Sequence, residues 1–437
     1  MIKSALSNQE IRSLKEWLIG RVSATFADPA SALDSVSRTE VETRLQEAYE
    51  STGLKLPADV RAALLKAVTN ELVGFGPIQP LLDDATITEV MVNGPNRVYI
   101  EREGKLQLTA VKLDGDEHVR RIIDRIIQPL GRRIDADSPL VDARLPDGSR
   151  VNAVIPPVAI DGPSITIRKF STKRLTADDL ISFGSMTPQI SEFLEACVIT
   201  RLNVVVSGGT GSGKTTLLNV LSGFIPEDER IVTIEDSAEL KLNQEHVVRL
   251  EAKKPNVDGK GEVSIRDCVK NALRMRPDRI VVGECRSGET LDMLQAMNTG
   301  NDGSMTTLHA NSPRDAVSRM ETMTLMASMD LPLKVVREQI ASAVDLIVHQ
   351  SRLRDGARAV THITEVVGME GDTVVLQDIF KYVEEGASSD GSVAGHMRPT
   401  GLRPVFTPKL EAAGFKLPSE IFGATAAPTR EPRTARR

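Results

Sequence analysis

Residues 208–215 read G-G-T-G-S-G-K-T, and no other stretch limits the folding options of the chain so sharply. The apolar run N-V-V-V-S leads directly into it and T-L-L-N-V-L follows closely, so the loop joins a buried strand to a helix. Glycines let the backbone turn tightly and aim successive N–H groups at anionic oxygens, where the helix N-terminus adds partial positive charge. A chance glycine-rich turn would lack those flanks. Gly208, Gly209, Thr210, Gly211, Ser212, Gly213, Lys214, Thr215 and Thr216 are therefore the expected nucleotide-contacting residues. Lys214 supplies a mobile cation for the β- and γ-phosphates, and Thr215 a hydroxyl for a phosphate-bridging Mg²⁺. ATP and Mg²⁺ are the expected cofactors.

A strand, loop and helix of this kind need more chain around them, and there are 437 residues, enough for two or three domains. Hydrophobic residues at 41% and charged ones at 26% are ordinary for a globular protein and exclude wholesale disorder, collagen and coiled coil. The formal net charge of -6 and an aromatic share of 3% argue against a nucleic-acid partner, which calls for basic surface and stacking platforms. Cys197, Cys268 and Cys285 are too far apart for a disulfide framework or a paired-cysteine zinc site, in keeping with a reducing cytoplasm. No run of apolar residues is long enough to span a membrane, and the N-terminus lacks a signal-peptide core, so any work at a membrane is expected to rely on a partner.

Five regions are expected. Residues 1–74 form a helical N-terminal segment, with Val60, Ala63, Leu64, Val68 and Leu72 at helical spacing before Gly74. Residues 75–170 form a small α+β domain. Its signals are a hairpin about Asn93-Gly94, a helix with Val119, Ile122, Ile123, Ile126, Ile127 and Leu130 on one face, and two strands joined at Asp147-Gly148. Residues 171–185 are polar and read as a linker. In residues 186–383 a capped helix at Thr187-Pro188 precedes short apolar runs alternating with helical patterns, the rhythm of a parallel sheet covered on both faces. Residues 384–437, rich in Gly, Ser, Pro and Arg, read as a partly disordered extension with a basic tail.

Hydrolysis of a bound nucleotide needs a carboxylate to polarise water at the end of a strand facing the γ-phosphate. R-P-D-R-I-V-V-G-E ends in Glu284, the expected general base. A metal-binding Asp would ordinarily close such a strand, and here Gly283 stands in that place, leaving the metal to Thr215, phosphates and water. R-I-V-T-I-E-D-S-A-E-L offers Glu235, Asp236 and Glu239 as further carboxylates, although turns after strands attract acids anyway. His309 ends another strand, where an imidazole can bond the γ-phosphate or a catalytic carboxylate and report nucleotide state. In the α+β domain, Arg150 and Arg168 alternate with buried aliphatics and so project from the polar face; with Arg144 they are candidates to clamp a transferring phosphoryl group. Ordinary solvated strand arginines would read the same way.

G-G-T-G-S-G-K-T-T, T-I-E-D-S-A-E-L, R-M-R-P-D-R-I-V-V-G-E-C-R-S-G-E and G-S-M-T-T-L-H-A-N-S-P together resemble the Walker A, Asp box, Walker B and His box of the type II/type IV secretion ATPase superfamily. G-F-G-P-I-Q-P-L-L-D-D, I-T-E-V-M-V-N-G-P, D-A-R-L-P-D-G-S-R-V-N and the late G-L-R-P-V-F-T-P resemble its CpaF-type branch, which serves tight-adherence (Tad/Flp) pili. The resemblance spans about residues 55–423. It implies a RecA-like P-loop NTPase domain in an α/β fold, preceded by the smaller α+β domain and the helical segment. It also implies a homohexamer with ATP held between domains and arginines contributed by neighbours, which strengthens the case for Arg144, Arg150, Arg168 and His309.

The expected function is thus a cytoplasmic hexameric ATPase motor, peripheral at the inner membrane, that drives assembly or retraction of a Tad/Flp pilus through inner-membrane platform proteins. Alternatives are a type IV secretion traffic ATPase, a nucleotide-dependent switch or scaffold with little turnover, and a RecA-like nucleic-acid motor. Glu284 speaks against the switch, because binding without hydrolysis needs no such carboxylate.

Overall fold

The computed structural model describes residues 7–26, 37–102, 104–170, 174–255, 259–327, 330–387, 393–417 and 419–423. The chain divides into two compact units, Met1–Thr172 and Lys173–Arg437.

The first unit begins with three helices, α1 (Asn8–Ser23), α2 (Arg38–Ser51) and α3 (Ala58–Val73). Ser7 and Glu10 close a capping box at α1, and Ser37 caps α2, so the exposed N–H groups of both helices are met by side chains. Leu18, Val22, Val41, Leu45, Tyr49, Leu64, Val68 and Leu72 pack together between them. Arg125 fastens this bundle to the rest of the unit by donating to Glu71 O and Gly74 O at 2.7 and 2.6 Å. After a short α4 (Gln79–Asp83) come β1 (Ile87–Asn93), β2 (Val98–Arg102), β3 (Lys105–Leu108), α5 (Asp116–Ile127), β4 (Leu140–Arg144), β5 (Arg150–Val154) and β6 (Ser164–Arg168). The strands form an antiparallel sheet in the order β3-β2-β1-β6-β5-β4. One face of it packs on the apolar stripe of α5. Leu130 does not join that stripe, because the helix ends at Ile127 and the Gln128–Leu130 turn leaves the side chain 45% exposed.

In the second unit, α6 (Ala177–Ser182) and α7 (Pro188–Ile199) lead into β7 (Val204–Gly208), the phosphate loop and α8 (Lys214–Ser222). Then follow β8 (Ile231–Glu235), β9 (Val247–Glu251), α9 (Ile265–Ala272), β10 (Arg279–Val282), α10 (Glu289–Asn298), β11 (Met305–His309), α11 (Pro313–Ala327) and α12 (Leu333–Ala343). The unit continues with β12 (Leu346–Arg352), β13 (Arg358–Glu370), β14 (Thr373–Ala387), β15 (Val393–Pro399) and α13 (Thr407–Ala412). The sheet order is β15-β14-β13-β12-β7-β11-β10-β8-β9, parallel from β12 to β9 and antiparallel beyond β12. Val204 and Val206 of β7 enter the core built by α7 and α8, while Val205 enters the opposite core built by α9 to α12. That alternation is why the strand reads as uniformly apolar: both faces are covered. The result is a RecA-like α/β architecture with every parallel strand ending at the same rim.

Two regional expectations change. Within the supposed linker 171–185, Thr176 and Asp179 form a capping box for α6, and Leu180 is buried in the second unit's core. Residues 384–437 are not a loose extension as far as they are described. β14 runs on to Ala387, β15 pairs with it, and Leu410, Leu417 and Phe422 sit in the core beside Phe193 and Phe380. Single apolar residues set among polar ones carry no period, so this docking has no signature in the chain. Residues 424–437, with the basic tail, lie outside the described residues.

Candidate active site at the ends of the parallel strands

Adjacent parallel strands in register deliver their last residues side by side. His309 of β11 stands level with Gly208 of β7, while β10 ends at Val282, level with Thr306 of β11 and Ile234 of β8, and β8 ends one residue later at Glu235. Ligands of open α/β sheets bind at this edge. Here it carries the phosphate loop and nearly all the carboxylates singled out above.

In the loop, Gly211 and Gly213 have φ of +70° and +96°, a left-handed conformation that favours glycine. A methyl group at Gly208 would collide with Gln350 O, so this position also has no room for a side chain. Lys214 begins α8, and its Nζ donates to Gly209 O at 3.0 Å, folding the cation back over the loop. Ser212 Oγ also donates to Gly209 O, at 2.9 Å. Burial lowers the Lys214 pKa, an effect that Glu284 partly offsets. Thr210 and Gly211 are exposed, while Gly209, Thr215 and Thr216 are half-buried.

A chain of side chains crosses three strands from the loop. Lys214 Nζ lies 3.5 Å from His309 Nδ1, and His309 Nε2 lies 2.8 Å from Glu284 Oε1. Arg286 Nη2 donates to Glu284 Oε2 at 2.6 Å, and its Nη1 is 3.9 Å from Asp236. Burial first, then the charge of Lys214, pulls the His309 pKa below its ordinary value, so the ring is neutral near pH 7 and can accept from Lys214. The hydrogen bond to Glu284 is the main cause raising the Arg286 pKa. Arg286 was not anticipated, although it stands only two residues beyond Glu284.

Glu235 departs from the expectation of a further catalytic carboxylate. It is 3% exposed, and its oxygens accept from the N–H groups of Glu239 at 2.7 Å and Leu240 at 3.0 Å. Burial pushes its pKa up to about 7. Its job in this structure is to shape the turn after β8. The same side chain explains Gly283: a Cβ there would fall 2.9 Å from Glu235 Cγ, so Glu235 occupies the space that a strand-end Asp would need. Asp236 is reached through Arg286, and Glu239 follows in the turn, half-buried.

Arg144, Arg150 and Arg168 of the first unit form one cross-strand row. Arg144 pairs with Arg150, Arg150 with Arg168, and Arg168 with Glu89 of β1. Arg168 Nε is 3.7 Å from Glu89 Oε1; Arg144 Nε donates to Gly148 O at 3.1 Å. Like charges directly opposite one another cost stability, and the register sets these three arginines in neighbouring cross-strand positions. Alternation identified Arg150 and Arg168; the register brings Arg144 into line with them.

Two residues near the loop were missed. Gln350 of β12 stands level with Gly208, and Arg358 of β13 donates from Nε to Gly211 O at 2.9 Å. Neither belongs to a recognisable local motif.

Comparison with known proteins adds lineage to this geometry. Residues 71–388 match the family described as type II/IV secretion system protein. A putative conjugal transfer protein of Mycobacterium tuberculosis is 36% identical over 340 residues, covering 76% of this chain and 95% of that protein. The conjugal transfer protein TrbB of Rhizobium radiobacter is 36% identical over 294 residues, covering 66% of this chain and 86% of TrbB. Among solved structures, the VirB11 ATPase of the Brucella suis type IV secretion system, in complex with sulphate, matches with 32% identity and a TM-score of 0.37, covering 66% of this chain and 94% of that one. With the phosphate loop, the strand-end glutamate and the histidine assembled on one rim, the chain belongs to the type II/IV secretion system protein family and is an ATP-hydrolysing enzyme within it.

Proposed function

We propose that the protein is a homohexameric motor of a Tad/Flp pilus, working from the cytoplasmic side of the inner membrane on platform proteins. The observation that carries the enzymatic part is the continuous path Lys214–His309–Glu284, which joins the phosphate loop to the water-activating carboxylate. Phosphate binding draws Lys214 off Gly209 O, and the imidazole transmits the change to Glu284. Glu284 then takes a proton from the attacking water. Mg²⁺, when bound, neutralises the β- and γ-phosphate charge. Thr215 would offer it a hard oxygen, and among the described residues no three or more His, Cys, Asp or Glu side chains are grouped so as to hold a metal ion. That donor set suits an ion that keeps its waters and leans on phosphate oxygens. The row Arg144, Arg150 and Arg168 supports a role in binding phosphate, and differential contacts with ATP and ADP would convert that binding into domain rotation. No helix among the described residues is long and apolar enough to cross a membrane, so attachment would come through partners.

The conjugal transfer relatives favour a second reading, a traffic ATPase that exports protein or nucleoprotein substrate. One experiment addresses the motor: solution mass with and without ATP, alongside phosphate release by wild type and Glu284→Gln. A hexamer with turnover lost in the variant is expected; a nucleotide-independent monomer with equal turnover in both refutes it. In the host, Glu284→Gln that abolishes surface filaments while sparing conjugation favours the pilus, and the reverse favours traffic.

A further inference from the structure

The strand carrying the phosphate loop, β7, has β11 on one side and β12 on the other. Glu284 and His309, which the mechanism proposed above sets at the terminal phosphate, come from the β10–β11 flank. A triphosphate anchored at Lys214 with its γ-phosphate on that flank must lead its nucleoside toward the opposite one. There stand the two residues that no motif announced. Arg358 opens β13, is exposed, and is tied by Nε to Gly211 O at 2.9 Å. A methyl group added at Gly213 would come within 3.2 Å of Arg358 Cδ and 3.3 Å of Gln350 Nε2, so both side chains press against the loop from this side. Gln350 is 2% exposed, and its Oε1 is buried with no hydrogen-bond partner among the described residues. A fully ionised phosphate cannot satisfy an acceptor. A ribose hydroxyl or the amino group of adenine can.

The Nε bond holds the guanidinium beside the loop while its two Nη groups make no hydrogen bond among the described residues. A planar, weakly hydrated cation held in this way stacks well on an aromatic ring. We infer that Arg358 is the nucleoside-side wall of the ATP site, its guanidinium plane packing on the purine while Gln350 offers the unpaired acceptor behind it.

This rests on the loop being the ATP site, and the test separates the two. Calorimetric titration of ATP and of inorganic tripolyphosphate is carried out on wild type, Lys214→Ala, Arg358→Ala and Arg358→Lys. Arg358→Ala should weaken ATP about 5- to 20-fold and tripolyphosphate less than about 2-fold, the size expected for a lost stack. Arg358→Lys, which keeps the charge and loses the plane, should also lose ATP selectively. Equal weakening of both ligands makes Arg358 a phosphate ligand or a brace and overturns the inference, as does unchanged ATP affinity. Lys214→Ala should lose both ligands. If wild type binds neither, the ATP reading of the loop fails, and the inference with it.

Discussion

Glu284 Oε1 lies 2.8 Å from His309 Nε2, so the carboxylate suited to polarise water touches an imidazole whose other nitrogen faces the phosphate-loop lysine at 3.5 Å. Arg286 donates to the second carboxylate oxygen at 2.6 Å. A ligand that recruits Lys214 therefore alters the surroundings of Glu284 through one ring.

The first prediction concerns pH. His309 is held below its ordinary value of 6.5 by burial and by Lys214, so the folded site favours the neutral ring. Activity that needs this neutral ring is complete above 6.5 and is lost as pH falls through the lower folded value. Below it, the protonated ring places a full cation on Glu284 and weakens it as a base. The acid limb of kcat should lie below 6.5 and move further toward the carboxylate range in His309→Asn. An identical acid limb in the variant would show that His309 does not set it.

The second concerns the arginine row. Because Arg168 is exposed and faces Arg150 directly, Arg168→Ala removes a like-charge neighbour and should change stability by less than about 0.5 kcal/mol. If the row stabilises a transferring phosphoryl group, kcat should fall by about 10²- to 10³-fold. Chemical denaturation and steady-state turnover measured on the same preparation decide. Wild-type turnover would leave the row as surface charge.

The third is steric. Gly283→Asp restores the acid that such strands usually carry, and its Cβ would meet Glu235 Cγ at 2.9 Å. Overpacking at this buried position should cost about 1–3 kcal/mol. Glu235→Ala should recover part of that cost in a double-mutant cycle, and strict additivity in urea denaturation would refute the steric account.

The fourth tests the C-terminal segment. Phe422 is 2% exposed, with ring centroids 5.9 Å from Phe193 and 6.1 Å from Phe380. Phe422→Ala should cost about 3–5 kcal/mol as a core truncation. A loss below about 0.5 kcal/mol would mean that the segment adds nothing to the core.

Reading was easiest where chemistry is local. Gly211, Gly213 and Lys214 could be assigned from their order, since a tight turn, a glycine conformation and a helix start all lie within a few residues. Glu284 and His309 could be named because each ends an apolar strand. Glu235 ends one too, and nothing nearby in the chain distinguishes it from Glu284. The difference lies in the backbone N–H groups of Glu239 and Leu240, which take up its oxygens once the turn has formed. Arg358 and Gln350 lie more than a hundred residues beyond the loop they touch, on strands whose neighbour order no local pattern specifies.

From the chain alone came the α/β class, the nucleotide loop, the strand-end acid and base candidates and the arginines of the polar face, since these follow from residue type and short-range period. Tertiary structure decided which carboxylate is committed to backbone, that the three arginines share one row, that the C-terminal aromatics belong to the core, and which side chains brace the loop. Those outcomes depend on strand order and register. Both are settled by burying apolar surface between segments far apart in the chain, a balance that no local window contains.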